Sequence, residues 1–341
     1  MRNPKVWLIT IGVFVMLAVG FIAAKGPQPE ISVPADAIFS IGGFHVTNTI
    51  ITAYVVTTLL VLGSYLATRK ASLVPSGFYN FVEAIVEWLL SVVEEIAGVR
   101  HARRFFPVVA TIFLFIVSAN YFGLLPIVNS IGVAHRSPNQ ESGVVFSKAG
   151  GAYIVTSNAT QVKEEDVKAG TAKPVSEDQA SRMGTLHPYL RSVNTDANSP
   201  LAIAVWSFIF VEFWGITALG ARHYFGKFLA FPPFAKSASP INIFVGLLET
   251  LSEFIRIISF TFRLFGNIFA GDVLILFMSF LAPFILPVVF YGLETFVGFI
   301  QAAVFALLTL VFAVMAIESH DEGEHDAHDA QGERAEAAAH G

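Results

Sequence analysis

The sequence predicts an all-α integral membrane protein, and three observations support that fold class. Of its 341 residues, 54% are hydrophobic and 14% are charged, whereas average proteins carry about 25% charged residues. Several apolar stretches reach the roughly 20 residues that a helix needs to cross a bilayer core. Basic residues cluster in alternate loops, as expected for cytoplasmic loops. We expect five core membrane helices, one a surface amphipathic helix and one long and steeply tilted, plus an N-terminal apolar segment.

Composition also excludes several classes of function. The formal net charge is −5, which argues against nucleic acid as a partner because nucleic acid requires a basic face. The chain has no cysteine, so disulfides, thiolate catalysis and cysteine-based metal sites are excluded. The sequence has no glycine-rich phosphate loop and no metalloprotease motif. We therefore predict no cofactor and no metal site in the membrane region.

The order of the apolar segments predicts the topology. Basic clusters at 69–70, 100–104 and 222–236 all face the cytoplasm if the N-terminus is cytoplasmic. The segment 25–49 and the polar insert 129–199 are then external, and the tail 318–341 is cytoplasmic. Residues 1–24 form either an uncleaved membrane anchor or a signal peptide. The apolar segments are residues 6–24, 50–68, 105–128, 201–221, 241–281 and 284–317.

Residues 76–97 have the pattern of an amphipathic helix on the cytoplasmic surface. Apolar residues recur at helical spacing, and Glu83, Glu87 and Glu94 lie on the opposite face. Surface helices that bind lipid usually have a basic polar face. Because this face is acidic, contact with a protein partner is as plausible as contact with headgroups.

The insert and the tail are polar. We interpret residues 129–199 as an external loop or a small subdomain; the glycosylation triplet that begins at Asn158 is common by chance. The acidic tail 318–341 is expected to be disordered. Its histidines beside carboxylates could hold a metal weakly, but a solvated tail is the favoured interpretation. Those histidines are His320, His325 and His328.

The segment 241–281 is too long for one direct crossing. As a single helix it would measure about 60 Å, roughly twice the bilayer core. It could instead be a hairpin of two spans. However, no proline or turn cluster interrupts it, and a hairpin would place the tail outside the cell. We therefore favour one long tilted helix.

This segment also carries an ordered series of ionisable residues. Glu249, Arg256 and Arg263 are spaced by seven residues, which places them on nearly the same helical face. Asn267 lies one turn beyond Arg263, and Asp272 lies about 14 Å beyond it along the axis. Each charge at the bilayer centre costs about 2.5–3.5 kcal/mol on insertion scales. An internal ion-pair network could offset that cost, but an ion pathway is the favoured interpretation.

Further polar residues in the other spans extend this hypothesis. Glu294 and Gln301 are seven residues apart in the last span. Glu294 has no basic residue within a turn, so we expect it to face Asp272 or water, and two adjacent acids suit a proton relay. Glu212 in the fourth span is a further candidate, or a carboxylic acid that burial keeps neutral.

The motif "RLFGNIFAGD", which begins at Arg263, closely resembles the signature of the F-type ATP synthase a subunits. The resemblance covers residues 40–320. The stretch "LLETLSEFIRIISFTFRLFGN" contains the family's upstream acid at Glu249 and its basic residue at Arg256. "ANYFGLLP" resembles the third-helix motif, with Asn120 as its polar residue. The last span resembles the family's last helix, with its glutamine at Gln301.

This resemblance implies a proton-translocating stator subunit, not itself catalytic, of a two-sector ATP synthase. Arg263 would be the essential counter-charge for the carboxylates of a c-subunit ring. Asp272, Glu294 and Gln301 would line the external entry route, and Glu249 the cytoplasmic exit. Asn267, Glu212, Asn120 and Arg256 would complete the proton pathway. The implied partners are the c-ring, the b-subunit peripheral stalk, the other synthase subunits and membrane lipid.

The resemblance also implies a multi-pass protein of the inner or plasma membrane with a cytoplasmic C-terminus. One departure is that family members often pair Glu with His where this chain has Asp272 and Glu294. The insert, the first span and the tail are also additional to short members. Sodium in place of protons stays open, since rotor residues mainly decide it. The alternatives are an ion-coupled secondary transporter, which should show repeated halves, and a membrane scaffold.

Overall fold

A computed structural model of the chain describes most of the apolar segments and parts of the polar insert. The described residues are 11–16, 19, 33–69, 77–135, 144–149, 152–156, 183–221, 224, 240–282 and 285–318. Residues 11–16 and 19 are helical. The remainder of the predicted segment 6–24 and the tail 319–341 lie outside the described residues, so the choice between anchor and signal peptide and the prediction of a disordered tail stay untested.

Five long helices in the described chain confirm the predicted fold class. Each is long and apolar enough to cross a membrane. They end where turn-forming or polar residues interrupt the apolar runs, as at Gly220 after the third helix. The helices are α1 (Asn48–Thr68), α2 (Phe78–Gly123), α3 (Asn198–Leu219), α4 (Pro240–Leu281) and α5 (Leu286–Glu318).

Helix α2 joins two segments that we predicted separately. The predicted surface helix 76–97 and the third span from 105 form one run of 46 residues, broken by a kink at Gly98. Gly98 has φ 70° and ψ 153°, a conformation that is essentially restricted to glycine. This residue therefore lets the amphipathic half and the apolar half of α2 point in different directions.

Helix α4 is one continuous helix of 42 residues. The prediction of a single long helix is confirmed, and the hairpin alternative is wrong. At about 1.5 Å per residue its length is about 63 Å. Gly266 and Gly271 do not break it, because a glycine inside a helix costs only about 1 kcal/mol relative to alanine.

Short strands occupy the segments that we predicted to be external. β1 (Ala37–Ile41) and β2 (Phe44–Thr47) form an antiparallel hairpin, with Ile41 paired to Phe44. Four antiparallel strands of the polar insert have the order β3-β6-β4-β5. An all-α description omits these sheets, which lie outside the five long helices. The four strands are β3 (Gly132–His135), β4 (Val144–Ala149), β5 (Ala152–Thr156) and β6 (Met183–Pro188).

The chain divides into two compact units. The first unit comprises residues 1–58, 118–196 and 265–299, and the second comprises 59–117, 197–264 and 300–341. Aromatic contacts form much of the core of the second unit: the ring centroids of Phe105 and Trp214 are 4.7 Å apart, and those of Phe260 and Phe305 are 4.8 Å apart. Helix α4 contributes to both units, since the division falls between residues 264 and 265.

The kink in α2 predicts a difference between two glycine substitutions. Gly98→Ala should lower the apparent melting temperature of the purified protein. A residue with a side chain is strained in this backbone conformation, at a cost of order 1–3 kcal/mol. Gly63→Ala is the matched control, since it lies inside α1 with open space around its Cα. It should be neutral or stabilising. Thermal unfolding in detergent measures both, and equal melting temperatures would contradict the importance of the kink.

Candidate functional site

Two carboxylates of the first unit face one small cavity. Asp272 on α4 and Glu294 on α5 both line it. The space inside is about 20 Å³, which is enough for a water molecule. The site therefore places two acids and a water-sized space between apolar helices. The other lining residues are Asn120, Gly123, Leu124, Ser192 and Ile268.

A glycine allows the Glu294 carboxylate to approach α4. A Cβ atom at Gly271 would overlap the carboxylate of Glu294. Glu294 is buried, so its carboxylate has little freedom to move away. The absence of a side chain at Gly271 therefore brings the acid of α5 next to Asp272, the following residue of α4.

Asparagine side chains hold the segments around this cavity together. Asn194 Nδ2 donates to Asn120 Oδ1 at 2.7 Å, and Asn120 Nδ2 donates to the Gly298 carbonyl at 3.1 Å. This chain of hydrogen bonds connects the segment before α3, the end of α2 and the middle of α5. Asn129 Nδ2 lies 3.5 Å from Asp272 Oδ1, so an amide donor also faces the carboxylate.

The start of α1 is fixed to the segment that precedes α3. Thr49 Oγ1 donates to Asp196 Oδ2 at 3.0 Å, and Asn48 Nδ2 donates to the Pro188 carbonyl at 3.2 Å. The backbone N–H of Arg191 donates to Thr52 Oγ1 at 3.2 Å. Both Asn48 and Thr52 are fully buried. These bonds make residues 188–196 a well-anchored wall of the first unit.

The second unit contains a separate group of ionisable side chains. Arg256 forms an ion pair with Glu253 at 2.7 Å and lies over the Phe312 ring, 3.8 Å from its centroid. The Tyr224 phenol is hydrogen-bonded to Glu212. Burial, together with the Glu212 carboxylate, raises the pKa of Tyr224 far above its usual range. The phenol therefore keeps its proton and donates a hydrogen bond to Glu212.

Arg263 differs from Arg256 although both lie on α4. Arg263 is half-buried, and its guanidinium is 5.8 Å from the centroid of the Phe260 ring. Within the described part of the chain, no carboxylate forms an ion pair with it. A charge in an apolar helix without such a partner requires water or a charge on another molecule.

The structure divides the sequence-predicted site residues between the two units. Asn120, Asp272 and Glu294 meet at the cavity, whereas Asn267 is exposed on α4. Gln301 is buried in the second unit and is not among the residues that line the cavity. Glu249 is half-buried. The predicted residues of the second unit are Glu212, Glu249, Arg256, Arg263 and Gln301.

Sequence reasoning missed several residues around the cavity of the first unit and one residue of the ionisable group in the second unit. Asn194, Ser192 and Arg191 belong to "YLRSVNTD", which we treated as the end of a polar insert. The density of polar residues directly before an apolar span was the available signal. Tyr224 carried no signal in the sequence, because only the tertiary contact with Glu212 distinguishes it.

The contact at Gly271 predicts a local loss of stability. Gly271→Ala should lower the melting temperature in detergent, because an added methyl group in a packed site costs typically 1–3 kcal/mol. Gly292→Ala on α5 is the control, since open space surrounds that position. If both variants melt at the wild-type temperature, Glu294 moves away without cost and the close approach is unimportant.

The sequence of the chain is similar to a known protein family and to several curated relatives. The family model described as the ATP synthase A chain matches residues 46–314. ATP synthase subunit a of Moorella thermoacetica is 27% identical over 81% of this chain and 93% of its own length. ATP synthase subunit a of Helicobacter hepaticus is 30% identical over 79% of this chain and 86% of its own. The corresponding protein of Helicobacter acinonychis is 30% identical over 81% and 93%.

The family model covers all of α1, α2, α3 and α4 and most of α5, and it includes Arg263, Asp272 and Glu294. The relatives extend over nearly their whole length, so the similarity is not confined to one motif. The chain therefore belongs to the ATP synthase A chain family.

Proposed function

We propose that this chain is the stator subunit that conducts protons to and from the carboxylates of a rotating c-subunit ring. Protons would enter and leave by two separate half-channels, so that their passage drives rotation and ATP synthesis. The observation that carries the proposal is Arg263, a cation on an apolar helix with no ion-pair partner among the described residues. A rotor carboxylate supplies the missing charge.

The cavity of the first unit supports an external half-channel. Asp272 and Glu294 bind and release protons, and the space between them admits water. Asn120 orients this site through its bonds to Asn194 and Gly298. Gln301 and Asn267 extend the route toward the rotor in this proposal, as the family resemblance implies.

The ionisable group of the second unit supports a cytoplasmic half-channel. Glu249 and Glu212 are both half-buried on apolar helices. Glu253 holds Arg256 at 2.7 Å, so this cation is already neutralised within the chain. We assign proton exit to Glu249 and Glu212, with Arg256 as a further residue of the pathway, as the family resemblance implies.

Arginine suits the position between two half-channels because guanidinium does not release its proton in proteins. Arg263 therefore favours the ionised rotor carboxylate without becoming a step of the proton route. A proton then crosses the membrane only while it is bound to a carboxylate of the rotating c-ring. Each charge moved gains about 2.3 kcal/mol per 100 mV of membrane potential.

The proposal assigns ATP chemistry to other subunits. The sequence has no nucleotide-binding motif, and we infer that this chain is not catalytic on its own. Its partners would be the c-ring, the b-subunit stalk and membrane lipid. The acidic face of α2, which includes Glu87 and Glu94, is a suitable contact for a stalk. A cytoplasmic C-terminus follows from the positive-inside pattern.

Replacing Arg263 with Ala tests this function. In the assembled complex, reconstituted in vesicles, Arg263→Ala should abolish proton-driven ATP synthesis, because nothing then favours the ionised rotor carboxylate. Any rise in passive proton leak would support the role of Arg263 as a seal. Arg103→Ala is the matched control, since Arg103 is an exposed arginine of α2. Normal synthesis in Arg263→Ala would show that the arginine is only structural.

A further inference from the structure

We propose that Arg191 is the fixed counter-cation of the external acid pair, Asp272 and Glu294, and sets the external pH range in which that pair takes up protons. Arg191 precedes α3, and the proposed proton route does not include it. The inference rests on the proposed function, because it assumes that the acid pair is the proton entry site.

Arg191 is held in place by bonds that do not involve the acids. Its exposed fraction is 7%. One terminal nitrogen, Nη1, donates to the Pro34 carbonyl at 2.9 Å, and its backbone N–H donates to Thr52 Oγ1 at 3.2 Å. The Pro34 carbonyl therefore holds the guanidinium itself, while Thr52 fixes the backbone from which the side chain extends. Its charge is therefore a permanent feature of this site.

The position of Arg191 brings that charge to the acid pair. The next residue, Ser192, lines the same cavity as Asp272 and Glu294. The charge of Arg191 acts on the Asp272 carboxylate. Arg191 and both acids belong to the first unit, so the arrangement is internal to one compact part of the chain.

In the described part of the chain, the other polar groups around Asp272 and Glu294 are neutral or acidic, so we take Arg191 as the cation of this pair. On α5, Glu294 and the Tyr291 phenol face Asp272. From the segment after α2, the neutral amide of Asn129 faces it. Asp196, on the same segment as Arg191, accepts a hydrogen bond from Thr49. Two acids and one cation carry a net charge of −1 when both acids are ionised and zero when one is protonated. The arrangement thus favours exchange of a single proton.

The test measures ATP synthesis in vesicles that contain the assembled complex, with the external face toward the lumen. Lumenal pH is varied while a potassium diffusion potential keeps the total driving force constant. Arg191→Gln keeps a hydrogen-bond donor for Pro34 but removes the charge. Without the cation the acids hold a proton more tightly, so the lumenal pH for half-maximal synthesis should move upward by about one unit. Arg191→Lys keeps the charge and should retain the wild-type midpoint.

A second variant tests the same charge effect without altering the bonds of Arg191 to Pro34 and Thr52. Asn129 is exposed and has φ 60°, a conformation that aspartate tolerates. Asn129→Asp adds a negative charge beside Asp272 and should move the midpoint upward with Arg191 in place. Arg103→Gln removes an exposed charge of α2 and should leave the midpoint unchanged. If Arg191→Gln fails to assemble, an unchanged midpoint in Asn129→Asp overturns the inference.

The outcomes separate this inference from the function on which it rests. If Asp272→Asn leaves synthesis intact, the entry-site assignment fails and the inference fails with it. If Asp272→Asn abolishes synthesis but assembled Arg191→Gln keeps the wild-type midpoint, only the inference fails. A lower amount of complex with an unchanged midpoint in both Arg191 variants would show that this residue is purely structural.

Discussion

The placement of two carboxylates at one cavity, the buried Glu294 and the half-buried Asp272, is the constraint on which the rest of the first unit depends. Each ionised group in an apolar setting costs several kcal/mol unless donors or an opposite charge offset it. In the first unit the Asn129 amide faces Asp272, and the cavity is large enough for a water molecule that could bond the acids. Gly271 leaves the room that the Glu294 carboxylate occupies. The hydrogen bonds of Asn120 to Asn194 and to Gly298 then hold the segments around the cavity together.

Two arginines on α4 show how the same side chain takes different roles. Arg256 is neutralised within the chain, by Glu253 at 2.7 Å and by the face of Phe312. Arg263 is seven residues further along; among the described residues it has no ion pair, and the Phe260 ring lies 5.8 Å from its guanidinium. An ion pair balances a charge within the chain, whereas a cation without such a partner attracts an anion from another molecule or water. The position of the partner acid, and not the arginine itself, therefore distinguishes the surroundings of Arg256 from those of Arg263.

How much the sequence predicted depends on whether a feature is local. The continuous helix α4 followed from an uninterrupted apolar run, and the candidate acids followed from the cost of charges in such runs. The kink at Gly98 was missed because one glycine between two helical patterns has no distinctive local signal. The short strands of the insert were missed because their polar sequence lacks clear alternation. Asn194 and Tyr224 act through partners 74 and about 12 residues away, and such pairings require the tertiary structure.

The all-carboxylate pair explains why a cation from another segment is needed. The resembled family often pairs a Glu with a His at these positions, and a histidine provides a positive charge when it binds a proton. Glu294 cannot do so: its protonated form is neutral and its ionised form adds to the negative charge of Asp272. With two acids, any positive charge at the site has to come from outside the pair. We propose Arg191 for that charge, because its bonds to Pro34 and Thr52 involve neither acid and so do not depend on which acid holds the proton.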